Sequence, residues 1–334
     1  VWWLRKEARA TIRASITAAL LPLLAWEVFS IIYYGFPIPN TAYAKLNQGI
    51  VKTDLIEQGV YYLFNSILWD PATLSTIGLG VLLSLSNRDR GVHMIAIGTL
   101  VYLCYVVWIG GDFMSGRFFS CLLVINVAMI LLLVESYSKE ASTFMILAVL
   151  FISFLSPKSL LFTTMDLSAS TSIQVDHFGI ADERLFYRSW TGLTTIKRNS
   201  RPPYGGWAEA GIQMRHQGGG VIVRGSSGFF GYQAGPDTFV IDEYALSDAL
   251  LSRLPTFDKR IWRIGHFTRS IPEGYIQSVE AGKNLIADSN LRTYYDALST
   301  VISGEIWSLD RFVEIWRLNT GWYDNLLRAY ISDQ

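Results

Sequence analysis

Apolar runs separated by short polar breaks fill the first 157 positions. Beyond them, charged residues and glycines mix with short β-like and helical patterns. A bilayer crossing needs about 20 predominantly apolar residues. The runs Ser15–Tyr34, Ala72–Ser86, Gly91–Ile109, Phe118–Val134 and Ser142–Leu155 therefore read as about five spans, the second and fifth short. Pro22 and Glu27 interrupt the first, and an intramembrane Glu must face protein or water. Gly35–Asp70 reads as a non-spanning loop. Its Phe-Pro-Ile-Pro opening disfavours helix at Phe36 and Ile38. Asn40 or Thr41 then caps a short re-entrant or interfacial helix that carries Tyr43 and Lys45.

From residue 158 the pattern predicts strands at Gly220–Val223, Phe229–Tyr232 and Thr238–Asp242. Helices are predicted at Tyr244–Leu254, Asn290–Leu298 and Leu309–Leu318. Strands before helices suggest an α/β or α+β domain. The expected architecture is a polytopic α-helical membrane domain over 1–157, followed by an extracytoplasmic soluble domain over 158–334. Composition agrees: 51% of residues are hydrophobic, and most charges lie after residue 157. The 28 basic and 28 acidic residues balance, which gives no footprint for nucleic acid.

Orientation follows from the basic residues. Arg5, Lys6, Arg9 and Arg13 precede the first span, and Arg88, Arg90 and Lys139 lie in the next inside turns, whereas the outer connections hold Lys45, Lys52 and Arg117. The positive-inside rule then places the Pro-rich loop, the connection after the third span and the C-terminal half outside. The first residue is Val, followed by Trp-Trp and a basic run. This leads to the expectation that the chain is the C-terminal piece of a longer protein.

The stretch with most chemistry is Trp108-Ile-Gly-Gly-Asp-Phe-Met-Ser-Gly-Arg-Phe-Phe119, between two apolar runs. A carboxylate and a guanidinium so near hydrocarbon must be paired, hydrated or used. Asp112 and Arg117 make either a polar site for a charged or sugar-like head group, or an interhelix turn in which Asp112 caps and pairs. Lys45 either binds a lipid phosphate or snorkels to the surface. Asp242 ends an apolar strand, where it faces a ligand crevice or caps the predicted Tyr244 helix. His266, in Trp262-Arg-Ile-Gly-His266, reads as a structural histidine. Trp190, Tyr204, Trp207, Phe229 and Tyr232 either stack on sugars or pack as core. Cys104 and Cys121 lack neighbours at metal-ligand spacing, and no HExxH, CxxC or Ser/His/Asp motif occurs.

GGDFMSGRF between two spans, FPIPNTAYAK after another, and the late series YQAGPDTFVID, WRIGHFTRSIP and IWRLNTGWYDNLL together resemble one family. It is similar to the mycobacterial terminal β-(1→2)-arabinofuranosyltransferases and their bacterial relatives, membrane glycosyltransferases of GT-C type. The resemblance implies transfer of a sugar from a polyprenyl-phosphate donor to a cell-envelope glycan, at the outer face of the inner membrane and in contact with its lipids. It implies that Arg117 and Lys45 stabilise the departing phosphate, that Asp112 orients Arg117, binds a sugar hydroxyl or serves as a second carboxylate, and that Asn40 and Tyr43 line the donor pocket. Tyr232, Asp237 and Asp242 would guide the acceptor. The family's general base is expected on a first external loop outside this sequence. The fold type admits a divalent cation, but no ligand cluster calls for one. The abundance of Ile, Lys, Asn and Ser argues against carrying over arabinose itself. A non-catalytic scaffold that binds polyprenyl lipid or glycan is the runner-up. A transporter is disfavoured, since only Glu27 and Pro22 interrupt the spans as transport would require.

Overall fold

A computed structural model describes residues 6–46, 48–155, 175–183, 186–187, 205–225, 227–260 and 262–333. In chain order the elements are α1 (Lys6–Tyr33), α2 (Asn40–Leu46), α3 (Lys52–Trp69), α4 (Pro71–Ser86), α5 (Arg90–Trp108), α6 (Ser120–Leu133), α7 (Lys139–Phe154), α8 (Gly206–His216), β1 (Gly220–Arg224), α9 (Gly228–Ala234), β2 (Thr238–Asp242), α10 (Tyr275–Ala281), α11 (Ser289–Ser303), α12 (Leu309–Asn319) and α13 (Asp324–Ser332). The protein is mostly helical. Its contacts divide it into one unit of Val1–Gly49, Gly206–Asp258 and Phe267–Gln334, and a second of Ile50–Gly205 and Lys259–His266.

Among the described residues, three helical stretches are long and apolar enough to cross a membrane: Arg13–Tyr33, Arg90–Trp108 and Arg117–Ser136. A fourth is reached if α3 and α4, bent by 107° at Asp70, count as one broken span. This corrects the expected five. The last predicted span is the 16-residue α7, too short by the same measure. The predicted loop Gly35–Asp70 instead contains the 18-residue α3. Asp54, Glu57 and Gln58 break its apolar run, yet Leu55, Gln58, Gly59, Tyr62, Asn65 and Ser66 fall on one buried helical face. The bend has a local cause. Asp70 precedes Pro71 and is excluded from helical backbone; its φ of −142° and ψ of 77° break the helix, and its carboxylate accepts from Thr73 Oγ1 at 2.7 Å.

Within the second unit, α4 packs on α5 and α6, and α3 on α5. Gly59 lies against the Val107 backbone and Gly80 against Asn126, so small residues let these helices approach closely. Asp89 caps α5 through the N–H groups of Gly91 and Val92, and Ser138 caps α7 through that of Ala141.

In the first unit, β1 and β2 pair in parallel from Gly220↔Thr238 to Arg224↔Asp242. Parallel neighbours need a crossover. That is why the predicted strand Phe229–Tyr232 is instead part of α9, with Phe230 and Ala234 buried. The predicted helix Tyr244–Leu254 is also absent, save for one 3₁₀ turn at Leu251–Arg253. Two carboxylates divert the backbone there. Asp242 accepts from the N–H groups of Tyr244 and Ser247, and Asp248 from those of Leu250 and Leu251. The core gathers Phe36, Ile241, Leu250, Leu291, Leu298 and Ile315.

Three buried arginines fasten the end of α1 and the residues after it to this core. Arg311 donates from Nη1 to Ile32 O (2.7 Å), from Nη2 to Tyr33 O (2.8 Å) and from Nε to Val301 O (2.8 Å). It thereby satisfies carbonyls left open at the end of α1. Arg269 donates to Ala44 O at 2.6 Å, to Leu254 O at 2.7 Å and to Phe267 O; burial lowers its pKa to about 10. Arg253 lies over the rings of Phe36 (4.1 Å) and Tyr43 (4.5 Å) and donates to Asn40 Oδ1 at 3.4 Å.

Arg311→Met should strip the donors from these carbonyls and cost at least about 3 kcal/mol in chemical denaturation; a loss below about 1 kcal/mol would contradict the role given to it. A second expectation concerns pH. Burial pushes Asp248 from an ordinary 3.8 up to about 6, although the N–H groups of Leu251 and Leu250 and the Tyr275 hydroxyl pull it down. The native state therefore keeps a proton that the unfolded chain releases, so the contribution is full below 3.8 and lost as pH rises through 6. Asp248→Asn retains an acceptor for both N–H groups. It should gain about 1–3 kcal/mol on wild type between pH 4 and pH 7, and a difference in melting temperature that does not change with pH would refute the assignment.

Candidate active site

The end of α5 sets the geometry in the second unit. The Gly111 N–H returns to Val106 O at 2.8 Å, which closes the helix. A side chain at 111 would meet the Tyr62 ring at 2.5 Å, so the turn requires glycine. Asp112 follows, 2% exposed. Arg117 grips it with both arms of its fork: Nη2 to Oδ1 and Nε to Oδ2, each at 2.6 Å. The arginine side chain keeps 40% exposure. The hydrogen bond to Oδ1 and the close ion-pair contact with Oδ2 together fix the guanidinium plane. Asp112 pairs with Arg117 but does not cap the next helical turn, Arg117–Phe119, which starts at Gly116 with no side-chain cap.

A polar seam braces this loop. Tyr62 donates its hydroxyl to Met114 O (2.9 Å) and accepts from the Phe118 N–H (3.2 Å). Ser115 Oγ donates to Asn65 Oδ1 and Asn65 Nδ2 to Asp176 Oδ2, both at 2.7 Å. Asp176 Oδ1 accepts from the N–H groups of Phe178 and Ile180. Segment 175–183 then runs beside the loop: Ala181 N–H donates to Phe113 O at 2.8 Å, and Ser115 N–H to Ala181 O at 3.0 Å. Two residues on, Glu183 is 8% exposed. Burial raises its pKa, Arg263 and Arg117 lower it, and Asp112 raises it. It is a carboxylate with proton-accepting capacity inside a charged cluster.

Segment 259–266 supplies the remaining side. His266 N–H closes a turn on Arg263 O at 2.9 Å, with Gly265 in the third position at φ +75°. The turn sets Arg263 beside His266. Both meet Phe113: the Arg263 guanidinium lies 5.6 Å from the ring centroid, and the His266 ring stands edge-on at 4.3 Å. Arg117 lies over the same ring at 5.1 Å. Glu183, Asp176, Asn65 and Tyr62 were not singled out in the sequence. Only Tyr62, Asn65 and Gln58 left a signal, as polar positions on the apolar-spaced face of α3. Among the described residues, no group of three His, Cys, Asp or Glu side chains converges as a metal site.

The other candidates lie in the first unit. Asn40, Tyr43 and Lys45 share α2. Arg253 engages Asn40 and Tyr43, burial raises the Tyr43 pKa, and Lys45 is exposed. Asn40 also lines a cavity of about 640 Å³ with Trp26, Tyr33, Tyr34, Phe36 and Arg311. Tyr232 on α9 is 77% exposed, and Asp237, before β2, is exposed. Asp242 is 2% exposed, with its oxygens occupied by Tyr244 N–H, Ser247 N–H and Ser247 Oγ, each at 3.0 Å. Trp190 and Tyr204 lie outside the described residues, while Trp207 and Phe229 are half-buried.

No protein-family model and no solved structure matches the chain. Among curated proteins it is similar to the terminal beta-(1->2)-arabinofuranosyltransferase of Mycobacterium tuberculosis (strain ATCC 25618 / H37Rv). The two are 29% identical over 212 residues, which are 53% of this chain and 33% of that protein. The similarity supports a distant relationship to a glycosyltransferase, and it covers about one third of that relative's length.

The Phe113 ring depends on Gly265, because a Cβ there would sit 2.5 Å from Phe113 Cδ1. Gly265→Ala should displace the ring and lower stability by about 1–3 kcal/mol. Thermal unfolding measures this; a variant as stable as wild type would mean that the ring is not seated on this turn.

Proposed function

We propose that this chain is part of a membrane glycosyltransferase that takes a sugar from a polyprenyl-phosphate donor and adds it to a cell-envelope glycan. We place it in the inner membrane with its active site at the outer face. The observation that carries this reading is the Asp112–Arg117 pair: a buried carboxylate holds a half-exposed guanidinium rigid at the end of a helix of spanning length. The distant relationship to a glycosyltransferase supports the reaction class.

In this mechanism the acceptor hydroxyl attacks the anomeric carbon, the bond from that carbon to the phosphate oxygen breaks, and polyprenyl phosphate leaves. Negative charge grows on the departing oxygen, and Arg117 is the preoriented cation that meets it. With both its oxygens on Arg117, Asp112 acts as the positioning carboxylate. The acceptor's proton goes to a base assigned to the first external loop of the whole enzyme. The aromatic cavity lined by Asn40 has the size and lining for an apolar chain. Exposed Tyr232 and Asp237 offer stacking and hydrogen bonding to an acceptor glycan. Lys45 is kept as a phosphate-binding cation. One observation favours the alternative of a lipid- or glycan-binding scaffold: the Asp112 carboxylate is buried in an ion pair with Arg117.

The test is transfer by the full-length protein in nanodiscs, from radiolabelled polyprenyl-phosphate sugars into envelope extract. Arg117→Ala and Asp112→Asn should each lower turnover by about a hundredfold or more. Turnover that survives both changes would return the pair to a structural turn. Absence of transfer from every donor, with lipid still bound, would favour the scaffold.

A further inference from the structure

We propose that Arg263 and His266 join Arg117 around Phe113 to form the site that holds the phosphate of the lipid carrier. This rests on the transferase reading above and assigns two residues that neither the motifs nor the similarity to a transferase put in the site. The argument starts from the turn. Arg263 and His266 occupy its first and fourth positions, so the turn sets the two residues side by side, and both side chains reach Phe113. Arg263 Nε donates to Gly179 O at 2.6 Å. That bond sets the plane of the fork, just as Asp112 sets that of Arg117. Two guanidinium groups and one imidazole therefore surround a single ring. An aromatic face tolerates cations without neutralising them.

Asp112 and Glu183 are among the carboxylates in this field, and Asp112 is ion-paired with Arg117. Glu183 is the counter-charge that a bound phosphate joins. Arginine forks match phosphate oxygens in planar geometry. A sugar-linked polyprenyl phosphate is a diester with one negative charge. The released polyprenyl phosphate is a monoester, which carries about 1.5 to 2 negative charges at neutral pH. A site with two arginines favours the second, so it follows the charge that develops as the sugar leaves.

The experiment uses the full-length protein in nanodiscs and radiolabelled farnesyl phosphate, with farnesol as the neutral control and inorganic phosphate as competitor. Arg263→Gln should weaken farnesyl phosphate binding tenfold or more and His266→Gln threefold or more, with farnesol binding unchanged. If Arg263→Gln also loses farnesol, Arg263→Lys is read instead, since it keeps the charge but not the fork; it too should bind farnesyl phosphate measurably less well. Wild-type affinity in a folded Arg263 variant, or no farnesyl phosphate binding by wild type, overturns the site. Displacement by inorganic phosphate as effective as that by farnesyl phosphate overturns the lipid-carrier assignment, whereas weak displacement supports it. The transfer assay separates the two claims. Arg263-dependent binding without transfer keeps the site and removes the enzyme. Transfer with Arg263-independent binding keeps the enzyme and removes the site.

Discussion

An ionised group next to hydrocarbon must be given partners, and that constraint organises both units of this protein. In the first, Arg311, Arg269 and Arg253 are buried where the chain leaves a helix of spanning length, and each engages backbone carbonyls, an amide oxygen or aromatic faces. Helix ends expose carbonyls, and a guanidinium carries enough donors to serve several at once. The Phe36–Leu46 segment is therefore tied to the core by charge-assisted bonds, with hydrophobic packing of Phe36 and Ala44 added to them. In the second unit, the same requirement is met by a carboxylate and an arginine that satisfy each other.

The two solutions differ in what they leave over. Arg311 and Arg269 are almost fully enclosed, and their donors are directed at main-chain oxygens. They are structural cations. Arg117 is held by Asp112 and by the Phe113 and Phe118 rings, yet its side chain stays 40% exposed. A fixed, partly solvated guanidinium beside a charged cluster is suited to meet an anion. This contrast supports a functional reading for Arg117 and a structural one for the arginines of the first unit, although all of them lie close to apolar helices.

Much of the frame was legible in the sequence. The run before Tyr34, the short helix at Asn40, both strands of the parallel pair and the late helices follow from apolar spacing, proline and capping residues. The Asp112–Arg117 pairing was legible as an alternative from the spacing within GGDFMSGR. Three things were not. The helix α3 was hidden because its buried face is polar, so hydropathy falls where burial does not. The segment after β2 reads as helical, but Asp242 and Asp248 capture its backbone N–H groups. The company of Phe113 was invisible for another reason: Arg263 and His266 are distant in sequence, and a three-residue step with Gly265 between them names a turn but not its destination.

The most direct measurement is photoaffinity labelling of the full-length protein with a polyprenyl-phosphate sugar that carries its reactive group next to the phosphate, followed by mapping of the labelled residues. If the phosphate is handled where we place it, the label falls within 112–118 or 259–266 and is competed away by unmodified donor. Labelling that is competed equally well yet falls wholly outside both segments would contradict the account.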